Sequence, residues 1–171
     1  MATCELQPTL IGETLLLRPL REDDFELLYA CASDPLIWEQ HPEATRYQRD
    51  VFRRYFEGGL ASGGALVVAE KSSGEIIGSS RYYDFSSDER RVTIGYTFLV
   101  RRCWGGDVNR EMKGLMLRHA FQFADRALFE VGASNRRSRR ALEKLGATLV
   151  REDVLDGHAH VTYVIEARSP A

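Results

Sequence analysis

The chain has 171 residues, of which 44% are hydrophobic and 28% are charged, and its formal net charge is -2. A chain of this length can bury one good core, so we expect a single domain over residues 1–171. The composition is that of a soluble globular protein and excludes a disordered or membrane class. The near-neutral charge provides no general attraction to nucleic acid or to an anionic membrane.

The N-terminal residues and the cysteines predict the compartment. The segment MATCELQPTLIGE has no basic part followed by an apolar part, so it does not predict a signal peptide. No apolar run approaches the ~18 residues that a membrane span needs. Cys4, Cys31 and Cys103 are odd in number and lack the spacing of metal ligands. We therefore expect a cytoplasmic protein with reduced thiols and without a metal.

The first half of the chain predicts strands and two helices. Asp34-Pro35 should end the first helix, whose apolar face we assign to Leu27, Leu28 and Cys31. The predicted elements are a strand Leu15–Pro19, a helix from Arg21 to about Ser33, a helix from after Thr45 to Gly63, and strands Ala65–Glu70 and Ile76–Asp84.

The second half predicts strands that alternate with helices. These elements are a strand Arg91–Val100, a helix from about Val108 to Ala124, a strand Ala127–Val131, a helix from Ser134 to Leu145, and strands Thr148–Leu155 and His158–Glu166. Asp156-Gly157 is a hairpin signal between the last two strands. The order β-α-α-β-β-β-α-β-α-β-β predicts an α/β fold, with a mostly antiparallel twisted sheet of about seven strands flanked by four helices.

Gly105 and Gly106 stand between a predicted strand and the longest predicted helix of the second half. In such a turn several backbone N–H groups converge at the positive end of the helix, which favours phosphate or pyrophosphate. This feature predicts a nucleotide-like cofactor. The alternative is a plain strand-to-helix turn without a ligand.

Three short motifs follow one another in this region. They are Arg102-Cys-Trp-Gly-Gly-Asp107, then Trp104-Gly105 followed by Asn109 and Glu111, and finally Asn135-x-x-Ser138 followed by Glu143-Lys-Leu-Gly-Ala147. Together they resemble the motifs of the GNAT superfamily of acetyl-CoA-dependent N-acetyltransferases. More narrowly, the chain resembles the branch that includes the ribosomal-protein N-terminal (alanine) acetyltransferases, and the resemblance extends from Leu15 to Glu166. Asp107 departs from the family's turn, where Gly or Ala is usual.

The resemblance implies acetyl-CoA as co-substrate and assigns its contacts. A splayed strand would offer backbone groups to the pantetheine arm, amides of the glycine turn would bind the pyrophosphate, and Asn135 would hydrogen-bond the pantetheine. The implied cofactor contacts are Phe98, Leu99, Val100, Arg102, Trp104, Gly105, Gly106, Asp107, Val108, Asn109, Asn135 and Ser138. The carboxylate of Asp107 should weaken pyrophosphate binding unless it turns away to cap the helix.

The positions of the general acid and the general base depart from the pattern of the resembled family. Many family members have a Tyr where this chain has Leu142, so we expect Ser138, or a water that it orders, to protonate the thiolate. Many relatives have a Glu where this chain has Thr93, which cannot accept a proton at neutral pH. Glu39 and His41 are candidate bases instead, and a water chain is the alternative.

Aromatic and basic residues are the candidates for the acceptor site. We expect Trp38, Arg81, Tyr83 and Tyr96 to bind the acceptor amine, with strand alternation placing Arg81 and Tyr83 on one face and Tyr82 on the other. Trp38 could equally be loop packing. His119 is expected to pack in the core, and Cys103 to be structural.

Two alternatives to an enzyme that transfers acetyl directly to an amine stay open. One is a non-catalytic module that binds acyl-CoA, which the missing Tyr and Glu and the presence of Asp107 favour. The other is an RNA- or ribosome-associated protein, which rests only on the basic cluster Arg136, Arg137, Arg139 and Arg140. We expect that cluster to be a solvated helix face, with one arginine near the 3′-phosphate of the cofactor. A homodimer through the C-terminal hairpin is also open.

Overall fold

A single mixed sheet organises the computed structural model, which describes residues 4–168. Its order is β1-β2-β3-β4-β5-β6-β8-β7, and every neighbouring pair is antiparallel except β5 and β6. The strands are β1 (Leu10–Ile11), β2 (Leu15–Pro19), β3 (Ala65–Glu70), β4 (Ile76–Ser86), β5 (Arg91–Leu99), β6 (Arg126–Gly132), β7 (Thr148–Leu155) and β8 (His158–Glu166). The mostly antiparallel sheet is confirmed, with the short β1 as an additional strand.

Five α-helices cover the sheet within the described residues: α1 (Phe25–Ala32), α2 (Pro35–Trp38), α3 (Arg49–Ser62), α4 (Val108–Ala120) and α5 (Arg136–Lys144). The sequence did not predict α2, because Asp34-Pro35 was interpreted only as a stop. Pro35 instead begins this helix, where its missing N–H costs nothing, and the Asp34 side chain accepts a hydrogen bond from the N–H of Leu36.

Two expectations about the helices were wrong. Leu27 is 63% exposed, and the buried face of α1 consists of Phe25, Leu28 and Ala32. The helix α4 ends at Ala120 and not at Ala124. Beyond it the chain tightens into a turn, in which the N–H of Phe123 donates to the carbonyl of Ala120.

Each face of the sheet carries its own apolar core. On one face, α4 buries Met112 and Met116 against strand residues such as Tyr82, whose hydroxyl donates to the carbonyl of Met116. On the other face, α1, α2 and α3 bury a cluster that includes Phe52 and Phe98. Tyr82 thus faces α4, as the predicted alternation requires.

The parallel pair β5 and β6 separates along its length. The two strands are paired only from Arg91–Thr93 with Arg126–Leu128, and beyond Thr93 they diverge. β6 pairs with β8 on its other side along its whole length, and beyond Leu128 its edge toward β5 is unpaired. A wedge therefore opens in the middle of an otherwise continuous sheet.

Candidate active site

A cavity of about 600 Å³ occupies the wedge between β5 and β6. The end of β5, the glycine turn, the inner side of α4, the open part of β6, the start of α5 and the β7–β8 hairpin all contribute to its wall. The sequence-predicted residues in the wall are Trp38, His41, Tyr83, Tyr96, Phe98, Leu99, Trp104, Gly105, Asn109, Asn135 and Ser138. The wedge thus gathers residues from both ends of the sequence.

The glycine turn presents free backbone donors at the start of α4. A 3-10 turn, Arg101–Cys103, uses the N–H groups of Cys103 and Trp104, which donate to the carbonyls of Val100 and Arg101. Within residues 4–168, the next N–H groups, those of Gly105, Gly106 and Asp107, donate to no protein acceptor. Gly105 has a φ of 75°, a conformation that suits glycine. Free donors at a helix N-terminus favour an anion.

Arg102 and Asp107 lie away from the cavity wall. The guanidinium of Arg102 forms salt bridges with Glu70 and Glu75, so its charge is already compensated. Asp107 is exposed and occupies the N-cap position of α4, but its side chain makes no cap hydrogen bond. The capping contact that would have turned this carboxylate away from the glycine turn is therefore not formed, and Asp107 stays a free charge beside the turn.

The start of α5 contributes two polar side chains. Asn135 is buried, and its Oδ1 accepts a hydrogen bond from the N–H of Ser138 at 3.3 Å. This bond caps the helix and orients the Asn135 side chain, and both residues line the cavity wall. One turn farther, Leu142 is buried at the same wall and offers no proton.

Trp104 and Arg137 connect the glycine turn to α5 and α2. The guanidinium of Arg137 lies 3.6 Å from the centre of a Trp104 ring, and it donates to the carbonyl of Ile37 at 3.2 Å. The indole N–H of Trp104 donates to the carbonyl of Leu99 at 3.0 Å. These contacts fix the mouth of the cavity and engage one arginine of the basic cluster.

A second arginine of that cluster also has partners within the chain. Arg139 donates to the Tyr163 hydroxyl at 3.1 Å and to the carbonyl of Ala133 at 2.8 Å. Arg136 and Arg140 are exposed. Only part of the basic cluster is therefore a free basic surface, although the sequence shows four arginines.

A bulge in β5 aims an aromatic side chain at the cavity. Two residues, Tyr96 and Thr97, stand opposite Ser80 of β4, and Tyr96 has a φ of 51°. The Tyr55 hydroxyl of α3 donates to the carbonyl of Tyr96 and holds this unusual backbone. Periodicity cannot reveal such an extra residue, because a bulge interrupts the two-residue repeat of a strand.

A buried lysine on α4 points into the wedge, and it was not among the site residues predicted from the sequence. Lys113 is 7% exposed and lines the cavity, and its Nζ donates to Thr97 Oγ1 at 3.1 Å. Its Nζ also lies 5.3 Å from the centre of the Phe129 ring. Burial lowers the pKa of Lys113 from 10.5 to about 8. A charged residue amid the apolar face Met112, Leu115 and Met116 was the available signal.

Tyr83 and Glu130 meet at the wall of the cavity. The Tyr83 hydroxyl donates to Glu130 Oε2 at 3.3 Å, and burial raises the pKa of Tyr83, which keeps it a donor. Glu130 stands in the open part of β6, with Arg151 at 3.9 Å on its other oxygen. The sequence analysis missed Glu130, although a lone carboxylate in an apolar strand was a signal.

The two predicted bases differ in position. Glu39 is exposed and lies outside the cavity wall. His41 lines the cavity, but its Nδ1 accepts a hydrogen bond from the N–H of Glu43 at 3.0 Å. Burial, with a contribution from the charge of Arg46, lowers the pKa of His41 to about 4. The ring is neutral at physiological pH, and its basic nitrogen is already engaged.

Trp38, Cys103 and His119 have structural contacts. Trp38 is 2% exposed and donates through its indole N–H to the carbonyl of Ala32 at 2.8 Å, so packing accounts for most of its surface. Burial raises the pKa of Cys103, which keeps it a thiol. His119 packs against Tyr82 and Phe123 at the edge of the core.

The described residues contain no group of three or more His, Cys, Asp or Glu arranged to hold a metal ion. In the same part of the chain, no helix combines the length and apolar character that crossing a bilayer requires.

The chain is similar to known proteins in sequence pattern and in fold. A family model described as acetyltransferase (GNAT) domain matches residues 14–148. No curated protein sequence matches the chain. A GCN5-related N-acetyltransferase from Brucella melitensis is 19% identical, with a TM-score of 0.79 over 94% of this chain and 79% of the other.

Two further solved structures share the fold and were determined with ligands. RimL, a ribosomal L7/L12 α-N-protein acetyltransferase in complex with coenzyme A, is 16% identical, with a TM-score of 0.73 over 91% of this chain and 96% of its own. The microcin C7 self-immunity acetyltransferase MccE, in complex with acetyl-CoA and AMP, is 15% identical, with a TM-score of 0.75 over 95% of this chain and 99% of its own. At these identities the likeness concerns the fold.

Proposed function

The chain belongs to the GNAT acetyltransferase family, and from this premise we propose that it transfers an acetyl group from acetyl-CoA directly to a primary amine while both substrates are bound. The observation that carries the proposal is the wedge between β5 and β6, which ends at the free N–H groups of Gly105, Gly106 and Asp107. A thioester arm in the wedge would bring its pyrophosphate to those donors.

The wedge suits an extended pantetheine arm. The unpaired edge of β5 beyond Thr93 offers backbone groups in place of a neighbouring strand, and the Asn135 amide offers a hydrogen-bond partner on the other side. One β5 N–H near Phe98 or Leu99 would polarise the thioester oxygen as a preorganised dipole. The arm thus completes hydrogen bonds that the separated strands leave open.

The reaction needs two proton transfers. The amine nitrogen attacks the thioester carbon, the C–N bond forms, the C–S bond breaks, and the nitrogen loses a proton while the thiolate gains one. We assign the proton acceptor to Glu130, whose carboxylate lies at the cavity wall with the Tyr83 hydroxyl as its donor. Ser138, which lines the same cavity and donates its N–H to Asn135, would protonate the thiolate through its hydroxyl, directly or through water. The raised pKa of Cys103 argues against a covalent acetyl-enzyme.

Cofactor binding comes first in the test. Acetyl-CoA at about a hundred times its dissociation constant should stabilise the native state by roughly 2.7 kcal/mol, which is visible as a rise in melting temperature. Release of the coenzyme A thiol should then be measured with a panel of primary amines. A stabilised protein that acetylates none of them is the result expected of a non-catalytic acyl-CoA-binding module, the alternative that the uncompensated Asp107 favours.

The base assignment has its own test. Glu130→Gln should lower kcat by about 100-fold or more, because the carboxylate no longer takes the amine proton. The affinity for acetyl-CoA should not change. Glu39→Gln is the matched comparison, and loss of activity in that variant with an active Glu130→Gln would reverse the assignment.

We also propose that two copies pair through the β7–β8 hairpin. β7 is a sheet edge, and Leu149, Val150, Val154 and Leu155 on it are at least 40% exposed. Exposed apolar residues on an edge strand favour association. Light scattering of the native protein and of Val154→Lys tests this proposal, since a dimer should dissociate in the variant.

A further inference from the structure

A smaller pocket of about 270 Å³ opens beside the main cavity, on the side of α3. It shares Glu43, Arg46 and Tyr96 with the cavity wall, so the two spaces adjoin. We call the part of the wedge around Tyr96, Tyr83 and Glu130 the acceptor end, since the proposed proton acceptor Glu130 lies there.

Arg54 and Arg81 complete the charged lining of the smaller pocket. The wall therefore holds three guanidinium groups and one carboxylate, that of Glu43. We call this space the arginine pocket.

The arginines of this pocket form no salt bridge with a carboxylate in the part of the chain that the structure describes. Glu43, whose pKa is lowered first by its hydrogen bond with Thr45, is the carboxylate on which the charges of Arg46 and Arg54 also act. Among residues 4–168, none of Arg46, Arg54 and Arg81 forms a salt bridge. Arg81 is 7% exposed, and the Nε atoms of Arg46 and Arg81 are buried without a hydrogen-bond partner in that part of the chain. Leaving charged donors buried and unpaired costs free energy, so a fold that keeps them points to a ligand that pairs them.

Aromatic rings hold two of these guanidinium groups in place. The Arg81 guanidinium lies 3.9 Å from the centre of the Tyr96 ring, and its Nη2 donates to the carbonyl of Tyr55 at 3.2 Å. The Arg46 guanidinium lies 4.9 Å from the Tyr55 ring and 5.2 Å from the Trp38 ring. Stacked guanidinium groups keep their N–H edges free for the two oxygens of a carboxylate or phosphate.

We propose that the arginine pocket binds an oxyanion carried by the acceptor amine itself, so that the preferred acceptors are amines that bear a carboxylate or a phosphate. This inference rests on the proposed acetyl transfer and names the substrate class of that site. Tyr96 lies between the proposed base and the arginines. Its ring contacts the Arg81 guanidinium, and it also packs against the ring of Tyr83, with 5.2 Å between the centroids. Tyr83 in turn is the hydrogen-bond partner of Glu130. An acceptor that spans Tyr96 places its amine at Glu130 and its anion at the arginines.

Matched acceptor pairs test the preference. Each pair has the same amine with and without the anion: amino acids against their amides, and O-phosphoethanolamine against ethanolamine. We expect kcat/KM to be at least 10-fold higher for the anionic member of the carboxylate pairs, the phosphate pair or both, and the pairs distinguish the two sources of the oxyanion. Equal or better use of the neutral members would overturn the proposal.

Variants locate the effect in the pocket. Arg46→Met and Arg54→Met should each reduce the preference for the anionic acceptor several-fold, through a higher KM for that acceptor. Arg53→Met is the matched control, because it removes the same charge from α3, where Arg53 stacks on Phe25 at 3.9 Å outside the pocket. A preference that survives Arg46→Met, Arg54→Met and Arg81→Met alike would also overturn the proposal.

A binding measurement separates this inference from the enzymatic one. With coenzyme A present, the melting temperature should be higher in phosphate or acetate than in chloride of equal ionic strength, and Arg46→Met should lose this rise while Arg53→Met keeps it. If no amine is acetylated but this rise is present, the transfer reaction fails and the anion site stands. If the rise is absent and the acceptor pairs show no preference, the anion site fails.

Discussion

The cofactor end and the acceptor end of the wedge use different parts of the polypeptide. At the cofactor end, the free groups are backbone N–H donors of Gly105, Gly106 and Asp107 and the open edge of β5. At the acceptor end, the functional groups are side chains, among them Arg46, Arg81 and Glu130. The first end depends on how the backbone bends, and the second on which residues the fold brings together.

This difference predicts how each end tolerates change. Side-chain substitutions at the cofactor end should act mainly through charge near the turn, since the donors belong to the backbone. Substitutions of the arginines at the acceptor end should alter substrate choice, since each removes a binding group, whereas Glu130→Gln should lower kcat. Lys113 belongs to neither group, because it is a buried charge on α4 that lines the wedge.

The largest effect should come from Lys113. Burial lowers its pKa from 10.5 to about 8. At pH 7 Lys113 is therefore charged in both states, but its ammonium group is less stable in the folded protein than in the unfolded chain. Lys113→Met should therefore raise the free energy of unfolding by about 3 kcal/mol at pH 7. Urea denaturation measures this difference.

The lowered pKa of Lys113 determines the direction in which the stability of the protein changes with pH. Between pH 8 and 10.5 the folded protein releases the proton of Lys113 while the unfolded chain keeps it, so the wild type gains stability as the pH rises. The advantage of Lys113→Met should shrink over this window. Lys144→Met, at an exposed lysine of α5, is the control. An advantage of Lys113→Met that is constant from pH 7 to 10.5 would contradict the assignment.

A smaller effect is expected at the acceptor end, from His41. Its pKa is lowered from 6.5 to about 4, first by burial and then by Arg46. Between these pH values the unfolded chain binds a proton that the folded protein does not, so stability falls as the pH falls. The wild type should lose about 2 kcal/mol more than His41→Gln between pH 8 and pH 5.

A second histidine variant is the control for this measurement of stability against pH. His158 is exposed on the β7–β8 hairpin, and His158→Gln should lose as much stability in acid as the wild type. Parallel curves for the wild type and His41→Gln would mean that His41 does not titrate as proposed. The test also bears on catalysis, since a histidine neutral down to about pH 4 is a weak base.

The contrast between the two ends also explains what could be predicted from the sequence. Backbone chemistry needs glycine at fixed spacing and a polar helix cap, and both Gly105 and Asn135 are visible as local patterns. The sheet was predictable for the same reason, because alternation and hairpin signals are local. The arginine pocket was not, because Arg46, Arg54 and Arg81 become neighbours only when the loop before α3, α3 and β4 pack together.

The smallest effect should come from Asp107, and it tests the backbone character of the cofactor end most directly. The carboxylate is exposed, makes no cap hydrogen bond and adjoins the free donors of the turn. Asp107→Asn keeps the size of the side chain and removes its charge, so acetyl-CoA should bind about threefold tighter at low salt, with the gain shrinking as salt screens it. Isothermal titration measures this change. Because a negative charge also favours a helix N-terminus, the variant should lose a few tenths of a kcal/mol of stability. Weaker binding of acetyl-CoA by Asp107→Asn would mean that the carboxylate orders the turn, and that side chains as well as backbone build the cofactor end.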